Sequence, residues 1–310
     1  MTPRWCVVFL LGPLATSCAI GPTYTPPKAL MPVTWHEAAA AGTFDRSTLE
    51  HWWTEFHDPL LENLVARAID GNLDLKIAAA RVREARAVRG IAASAALPQV
   101  GVNGQYARAE RSETVPPFTF TAGGTSPFGP RTRNVFEAGF DAGWELDVFG
   151  GVRRDVEAAV AQVQGAEEGR RDVLVTLLAD VARNYAELRG TQRQIEILDA
   201  TLRSQQDTLD LAKARFDAGL GTALDVERAE GLLEATRSRR PELERLIRHA
   251  MYRLDVLLGQ EPGTVASTLE PSKALPPQPP QLPDVLPSEL LSRRPDLRRA
   301  EATSRQQRPA

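Results

Sequence analysis

This sequence has very few cysteines and few aromatic residues, and neither positive nor negative charge is in large excess. Two cysteines in 310 residues exclude a disulfide-rich scaffold. Aromatic residues make up 6% of the chain, which favours a helical assembly, because alanine-rich helices pack closely without large side chains. With 37 basic and 40 acidic residues there is no positive excess to neutralise phosphates, so nucleic acid is excluded as the expected partner.

Patterns typical of metal or cofactor chemistry are also missing. The four histidines are scattered and no two have the spacing of helical ligands, so the sequence predicts no metal site (His36, His51, His57 and His249). The pair Gly219 and Gly221 begins like a dinucleotide fingerprint, but Leu224 occupies the third glycine position and a helix precedes the motif. The sequence therefore predicts no cofactor, no catalytic residue and no enzymatic activity.

The first residues have the order of a secretory signal. Arg4 precedes an apolar stretch over residues 5–14, which is too short to span a bilayer, and small residues follow at 15–17. The small residues end on Cys18, which resembles the lipobox of bacterial lipoproteins. We therefore predict a signal peptide over 1–17 and an acylated Cys18 that opens a tether and cap segment over 18–57. The alternative is an ordinary signal followed by an incidental cysteine.

Two helices and two strands are predicted next. Asp58 and Pro59 look like an N-cap and first helical residue, Gly71 ends that helix, and a second helix runs from about 75 to 96. Strands are predicted at about 99–107 and 134–148. The second strand alternates apolar residues with polar ones over enough length to cross a bilayer. Its polar face carries four candidate pore-lining carboxylates: Glu137, Asp141, Glu145 and Asp147. A soluble hairpin with one face on a core remains the alternative.

A long helical hairpin is predicted over about 153–258. No proline occurs from 153 to 216, and one heptad position is apolar seven times in succession (Leu174, Val181, Leu188, Ile195, Leu202, Leu209 and Phe216). Glycines at 219 and 221 predict a turn, Thr222 and Asp225 predict a helix cap, and Pro241 predicts a kink in the returning helix. A long soluble coiled coil would show the same pattern.

A proline-rich connection is predicted over 263–291 and a further helix over 292–310. The residues Asp296, Leu297, Ala300 and Ala302 repeat the pattern that begins at Asp74, at a constant offset of 222. This spacing suggests an internal repeat whose first copy covers 58–262.

Taken in order, these segments resemble one known family, the TolC-like outer-membrane lipoproteins of tripartite efflux systems that serve resistance-nodulation-division pumps. The motifs that carry the resemblance are Cys18–Tyr24, Trp52–Leu60, Asn72–Leu75, Ala79–Val82, Trp144–Gly150, Leu224–Val226, Leu257–Gly259 and Arg294–Asp296. For Trp52, Trp53, Asp58 and 294–296 we expect packing and capping roles.

The resemblance implies a mainly α fold with a β-hairpin. It implies a homotrimer whose strands form one shared barrel in the outer membrane and whose long helices form a periplasmic tunnel. The implied function is that of a channel subunit that exports small molecules, such as drugs, by passive conduction. The implied partners are outer-membrane lipid, a periplasmic adaptor protein and an inner-membrane pump, with Gly219, Leu220 and Gly221 as candidate adaptor contacts.

One feature departs from the family pattern. Family members contain two such repeats, whereas the second repeat opens here near Arg294 and the sequence ends at Ala310. Two strands from each subunit of a trimer make six, fewer than the eight of the smallest common outer-membrane barrels. The alternative to a channel subunit is therefore a lipid-anchored periplasmic coiled-coil scaffold or a non-functional truncated fragment.

Overall fold

A computed structural model of the chain describes residues 50–110, 132–273 and 291–306. The signal peptide, Cys18 and most of the tether lie outside these residues. The chain divides into two compact units. One unit contains Arg86–Val160. The other contains Ala161–Arg305 together with the described residues that precede 86.

The described residues are mainly helical, with one two-stranded antiparallel sheet. After a short 3-10 helix, Trp52–Phe56, the elements are α1 (Pro59–Gly71), α2 (Leu73–Ser94), β1 (Gln99–Glu110), β2 (Thr132–Gly143), α3 (Gly151–Asp217), α4 (Ala223–Arg237), α5 (Arg240–Leu257), α6 (Ala266–Leu269) and α7 (Pro295–Gln306).

The start of α1 follows the predicted capping pattern. One carboxylate oxygen of Asp58 accepts hydrogen bonds from the backbone N–H groups of Leu60, at 2.9 Å, and Leu61, at 3.4 Å. These bonds satisfy donors that have no partner within the helix, and Pro59 suits the first helical position. The other oxygen accepts a 2.5 Å hydrogen bond from the Tyr185 hydroxyl of α3. Asp58 therefore starts one helix and ties it to another, which is the structural role predicted for it.

The end of α1 packs backbone to backbone against the end of α5. A Cβ atom on Gly71 would lie 2.1 Å from the Leu258 carbonyl oxygen, and a Cβ on Gly259 would lie 2.4 Å from the Gly71 carbonyl oxygen. The Asn72 side chain joins the same ends, because its amide donates to the Leu257 carbonyl at 2.9 Å. Its oxygen accepts from the Leu75 N–H at 2.9 Å, in the first turn of α2. The motifs at 72–75 and 257–259 thus form one close helix–helix contact.

The core of the helical unit lies where α1, α3, α5 and α6 meet. Its fully buried members include Leu64 of α1, Val181 and Leu188 of α3, Leu254 of α5 and Leu269 of α6. Trp52, Trp53 and Phe56 pack against this core from the 3-10 helix, in edge-to-face pairs. This packing agrees with the structural role expected for the tryptophans.

Residues 263–272 were predicted to begin the proline-rich connection, and this prediction is wrong. They belong to the helical unit, because the buried Asp255 carboxylate accepts hydrogen bonds from the N–H groups of Gly263, at 2.7 Å, and Val265, at 2.9 Å. Val265 and Leu269 are then buried in the core. Composition alone did not separate this capped turn from the proline-rich residues that follow it.

The long helix α3 runs unbroken for 67 residues, close to the predicted bounds. The predicted seam is buried at Val181, Leu188 and Leu209 and half-buried at three other positions (Leu174, Ile195 and Leu202). Only Phe216, in the last turn, is exposed.

The returning arm of the helical hairpin is broken into α4 and α5 beside Pro241, as the sequence predicts. The break lies at Ser238 and Arg239, and Pro241 is within the first turn of α5. Arg240 pairs with Glu244 of its own helix at 2.9 Å and also pairs with Asp199 of α3. An ion pair between the two arms of the hairpin therefore lies at the break.

The two strands pair over their whole length, from Gln99 opposite Gly143 to Glu110 opposite Thr132. The predicted extension of the second strand to Val148 is wrong, because β2 ends at Gly143. Beyond it the Trp144 indole N–H donates to the Ala96 carbonyl at 3.1 Å, and Asp147 caps α3. These local partners replace strand pairing, although the alternating sequence pattern continues.

Candidate membrane and partner surfaces

The ribbon formed by β1 and β2 has one face that is apolar over residues 100–106 and 136–142 and is exposed there. The pairs Val102 with Phe140 and Tyr106 with Phe136 lie side by side on this face, and the Tyr106 and Phe136 rings are 4.9 Å apart. Val102 is 82% exposed and Phe140 is 85% exposed. Large apolar side chains held on paired strands without cover are typical of a surface that meets lipid or another protein.

The opposite face of the ribbon is polar and carries two of the predicted carboxylates. Glu137 lies opposite Gln105, and Asp141 lies opposite Gly101. A Cβ atom on Gly101 would lie 2.8 Å from both carboxylate oxygens of Asp141, so glycine leaves room for that acid. The structure therefore places Glu137 and Asp141 on one face, with neutral cross-strand neighbours.

The other two predicted pore-lining residues, Glu145 and Asp147, lie beyond the end of β2. Asp147 accepts hydrogen bonds from the backbone N–H groups of Val152, at 3.2 Å, and Arg153, at 3.1 Å, and pairs with the Arg153 guanidinium. Desolvation raises the pKa of Asp147, but these hydrogen bonds and the Arg153 charge outweigh it and leave the pKa lowered. Asp147 thus acts as a helix cap, and pore lining stays a prediction for all four residues.

A crevice of about 680 Å³ lies beside the ends of the strands. Trp144 and Glu145 line it together with Asp141, Gln99 and Leu97. It brings the side chains of Asp141 and Glu145 to the same crevice although only the first belongs to the strand.

The turn between α3 and α4 is built by its glycines. Gly219 has a φ of +71°, a conformation that favours glycine. Its N–H donates to the Phe216 carbonyl at 2.9 Å, and the Leu220 N–H donates to the Arg215 carbonyl at 2.8 Å. This pair of bonds is the Schellman arrangement, which satisfies carbonyl groups at the end of a helix. The turn is therefore defined by backbone hydrogen bonds, and these bonds do not involve the Leu220 side chain.

The same turn starts α4 through the predicted cap. The Asp225 N–H donates to the Thr222 hydroxyl at 3.3 Å, while the Thr222 N–H and hydroxyl donate to the Asp225 carboxylate at 3.1 and 2.6 Å. The hydroxyl bond is the largest cause of a lowered pKa for Asp225, followed by the backbone bond, with Arg228 and Arg215 adding charge.

An exposed apolar group surrounds this turn. Leu220 is 73% exposed, and Leu211 and Leu224 are also exposed. Leu220 and Leu211 line a groove of about 290 Å³ together with Thr208, Ala212 and Arg215. Sequence reasoning missed Leu211, which lies two residues beyond the seam position Leu209; an apolar residue off the seam was the available signal.

Within residues 50–110, 132–273 and 291–306, no group of three or more histidine, cysteine or acidic side chains could hold a metal ion. None of the helices in these ranges combines the length and the apolar composition needed to cross a membrane.

Comparisons with known proteins agree with the resemblance. The family model described as "Outer membrane efflux protein" matches residues 64–260. Nodulation protein T of Rhizobium leguminosarum bv. trifolii is 30% identical over 291 residues, which are 93% of this chain and 59% of that protein. The pyoverdine export outer membrane protein OpmQ of Pseudomonas aeruginosa is 33% identical over 264 residues, 85% of this chain and 54% of OpmQ.

The solved structure of the outer-membrane channel OprN is similar to this chain with a TM-score of 0.78 at 33% identity, over 93% of this chain and 62% of OprN. The chain thus spans less than two thirds of the length of these relatives. Its helical hairpin and two-stranded ribbon nevertheless match the family in both sequence and fold. The chain belongs to the outer membrane efflux protein family.

Proposed function

We propose that this chain acts as an outer-membrane channel subunit of a tripartite efflux system and exports small molecules by passive conduction, without catalysis. The observation that carries the proposal is the ribbon, where one face is apolar and exposed over residues 100–106 and 136–142, and the opposite face is polar over the same stretch. Each strand has 12 residues, enough for a tilted strand to cross the hydrocarbon layer. Membership of the efflux family supports the same reading.

In this proposal the ribbon joins those of other copies in a shared barrel of a homotrimer. Closing the barrel would give the unpaired outer edges of β1 and β2 hydrogen-bond partners, which strands in lipid require. The face of Val102 and Phe140 would then meet lipid, and the face of Glu137 and Asp141 would line the pore.

A charge placed on the apolar face tests membrane insertion. Phe140→Arg should abolish the protein's conductance in planar bilayers, because arginine on a lipid-facing strand costs up to about 2–4 kcal/mol. Gln105→Arg is the matched control, since Gln105 lies on the polar face. It should leave membrane insertion intact.

The same pair of variants separates the channel from the scaffold. A lipid-anchored coiled-coil scaffold would tolerate both substitutions equally, because its ribbon would never enter the bilayer. The absence of conductance in the unchanged chain would reject the channel and favour the scaffold or the fragment.

The pore-lining assignment has a separate test. If Glu137 and Asp141 face the pore, replacing either with lysine should shift the channel's preference from cations towards anions, since charge lining a pore selects the ions that pass. Asp147→Asn should change this preference less, because the Asp147 charge is paired with Arg153 and its oxygens cap α3. Reversal potentials in a salt gradient would measure the change.

The turn between α3 and α4 is the proposed contact for a periplasmic adaptor, which in turn reaches an inner-membrane pump. Its support is the exposed Leu220, because the Schellman bonds define the turn without using that side chain. Gly219 supplies the positive φ of the turn, and a Cβ atom on Gly221 would lie 3.4 Å from the Phe216 backbone nitrogen. The groove beside Leu220 is large enough for an apolar side chain of a partner helix.

Leu220→Asp should weaken crosslinking to the adaptor and leave folding unchanged. Leu232→Asp is the control, because Leu232 is an exposed leucine of α4 away from the turn. A photoreactive residue at 220 should capture an adaptor that the same residue at 232 does not. Equal capture at both positions would remove the proposed role of the turn, and a fall in helix content in Leu220→Asp would show a folding role instead.

Lipid anchoring at Cys18, which lies outside the described residues, completes the proposal. Two or more acyl chains hold a protein stably on a membrane, where one chain is marginal. Cys18→Ser should therefore block lipid labelling and signal-peptide removal. Unchanged processing and labelling would instead identify an ordinary signal with an incidental cysteine.

A further inference from the structure

Helix α7, which the sequence predicts to open a second repeat, lies along α3 in a regular antiparallel contact. Arg305 reaches Gln164 at 3.5 Å, near the start of this stretch of α3. Arg298 pairs with Glu168 at 2.8 Å, and Arg299 pairs with Asp172 at 3.4 Å. The three α3 residues lie four positions apart, and Arg298 and Arg305 lie seven apart on α7, so these contacts use one face of each helix.

Two glycines of α3 allow the helices to approach closely. A Cβ atom on Gly165 would lie 3.6 Å from the Ala302 Cβ, and one on Gly169 would lie 3.5 Å from the Arg299 Cδ. Ala302 is the one buried residue of α7. The glycines are four residues apart and therefore on the same face of α3, so they form a shallow groove that receives Ala302 and the stem of Arg299.

Glu168 lies between these glycines in the sequence, and its charge is compensated in part by an arginine of α7. Glu168 is buried, with 7% of its side chain exposed, and one of its oxygens pairs with both Arg171 of α3 and Arg298 of α7. Its other oxygen is buried and has no hydrogen-bond partner among the described residues. A buried carboxylate is costly unless it is paired. Without Arg298, only Arg171 would compensate this charge.

We propose that Gly165, Glu168 and Gly169 form a docking site on α3 that recognises α7 in a single register. The site recognises a small residue flanked by arginines, because Ala302 packs against Gly165 and the stem of Arg299 packs against Gly169. Arg298 neutralises Glu168. Its occupant is α7 of the same chain. The docking site thereby determines the direction in which the second repeat begins, a role separate from the membrane and adaptor surfaces.

The first repeat provides a comparison for specificity. At the repeat offset of 222, the residues of α2 that match Arg298, Ala302 and Arg305 are Lys76, Ala80 and Arg83, which have similar charge and size. The residue that matches Arg299 is Ile77, which cannot pair with Asp172. Arg299 is therefore the residue that distinguishes α7 from α2 at this site.

A disulfide measures docking directly. The distance of 3.6 Å between the two Cβ positions lies within the range of disulfides, about 3.5–4.5 Å. Gly165→Cys combined with Ala302→Cys, in the full chain with Cys6 and Cys18 replaced by serine, should form an intramolecular disulfide. Gly165→Cys with Ala300→Cys is the matched control, because Ala300 is on the exposed side of α7.

The equilibrium between thiols and disulfide in a glutathione buffer gives the effective concentration of the two cysteines. We expect Glu168→Gln to lower this effective concentration by roughly tenfold, because Arg298 loses its buried partner. Glu187→Gln, at an exposed site of α3, should leave it unchanged. Arg298→Met removes the other member of this ion pair and should also lower the effective concentration.

Arg299→Ile gives α7 the residue of α2 and should lower the effective concentration by about twofold, since exposed ion pairs contribute little. If Gly165→Cys formed a disulfide equally well with Ala302→Cys and with Ala300→Cys, α7 would not dock in a single register. A disulfide between two chains would overturn docking within one chain. No change in either Glu168→Gln or Arg298→Met would overturn the role of the buried acid.

Discussion

The two units of this chain differ in where they place their large apolar residues. The helical unit buries its large apolar residues in a core of its own, where Leu64, Leu188 and Leu254 are fully buried. The ribbon of the other unit exposes apolar residues of similar size, such as Val102 and Phe140. Burial of apolar area drives folding, so the helical unit carries its own driving force. The ribbon is regular because its backbone groups pair, and its apolar face needs an environment outside the chain.

The largest expected effect comes from testing this contrast with two truncations. Leu254→Ala should destabilise the protein by about 2–5 kcal/mol, because it opens a cavity in a closed core. Phe140→Ala should change the free energy of unfolding in detergent-free solution very little, since the side chain is 85% exposed there. Urea denaturation of both variants measures the difference. Comparable losses would show that the ribbon face is covered within the chain.

A pair of glycines sharpens the comparison between packed and open backbone. Gly259 and Gly219 have similar φ values, +65° and +71°. A Cβ on Gly259 would meet the Gly71 carbonyl oxygen at 2.4 Å, whereas nothing lies within 4 Å of a Cβ on Gly219. Gly219→Ala should therefore cost only the conformational penalty, about 1–2 kcal/mol, and Gly259→Ala should cost more. Thermal denaturation gives both values, and equal losses would contradict the close contact between α1 and α5.

The helix cap at the turn predicts a smaller, pH-dependent effect. The pKa of Asp225 is lowered in the folded protein, so its ionised form stabilises the fold at neutral pH. This contribution is present above the unfolded pKa, near 4, and is lost as the pH falls through the lower folded value. The protection of residues 222–226 against amide hydrogen exchange, taken relative to the intrinsic exchange rate at each pH, should therefore fall on acidification below about pH 4. The variant Asp225→Asn should show less of this pH dependence, and an identical profile would contradict the cap.

Much of the fold was predictable from sequence, because its signals are local. The heptad seam of α3, the Asp58 cap, the Thr222 and Asp225 cap and the break near Pro241 each depend on residues within a few positions of one another. The family motifs were recognisable for the same reason. The ribbon's two faces followed from alternation, and the exposed Leu220 from its position in a glycine turn.

The tertiary structure decided the features that depend on residues far apart in sequence. Alternation continued to Val148, but β2 ends at Gly143 because Trp144 and Asp147 find partners elsewhere. Composition assigned 263–272 to the proline-rich connection, but the buried Asp255 retains them in the core.

The docking of α7 on α3 shows the same division at one site. Gly165, Glu168 and Gly169 look like ordinary residues of a long helix, and no local pattern identifies their partner. Their role appears only when Arg298 and Ala302 are placed beside them. The sequence by itself determined where helices and strands begin, because capping and periodicity act over a few residues. Only the tertiary structure decided which buried charge is neutralised by which distant arginine, because that choice depends on three-dimensional proximity.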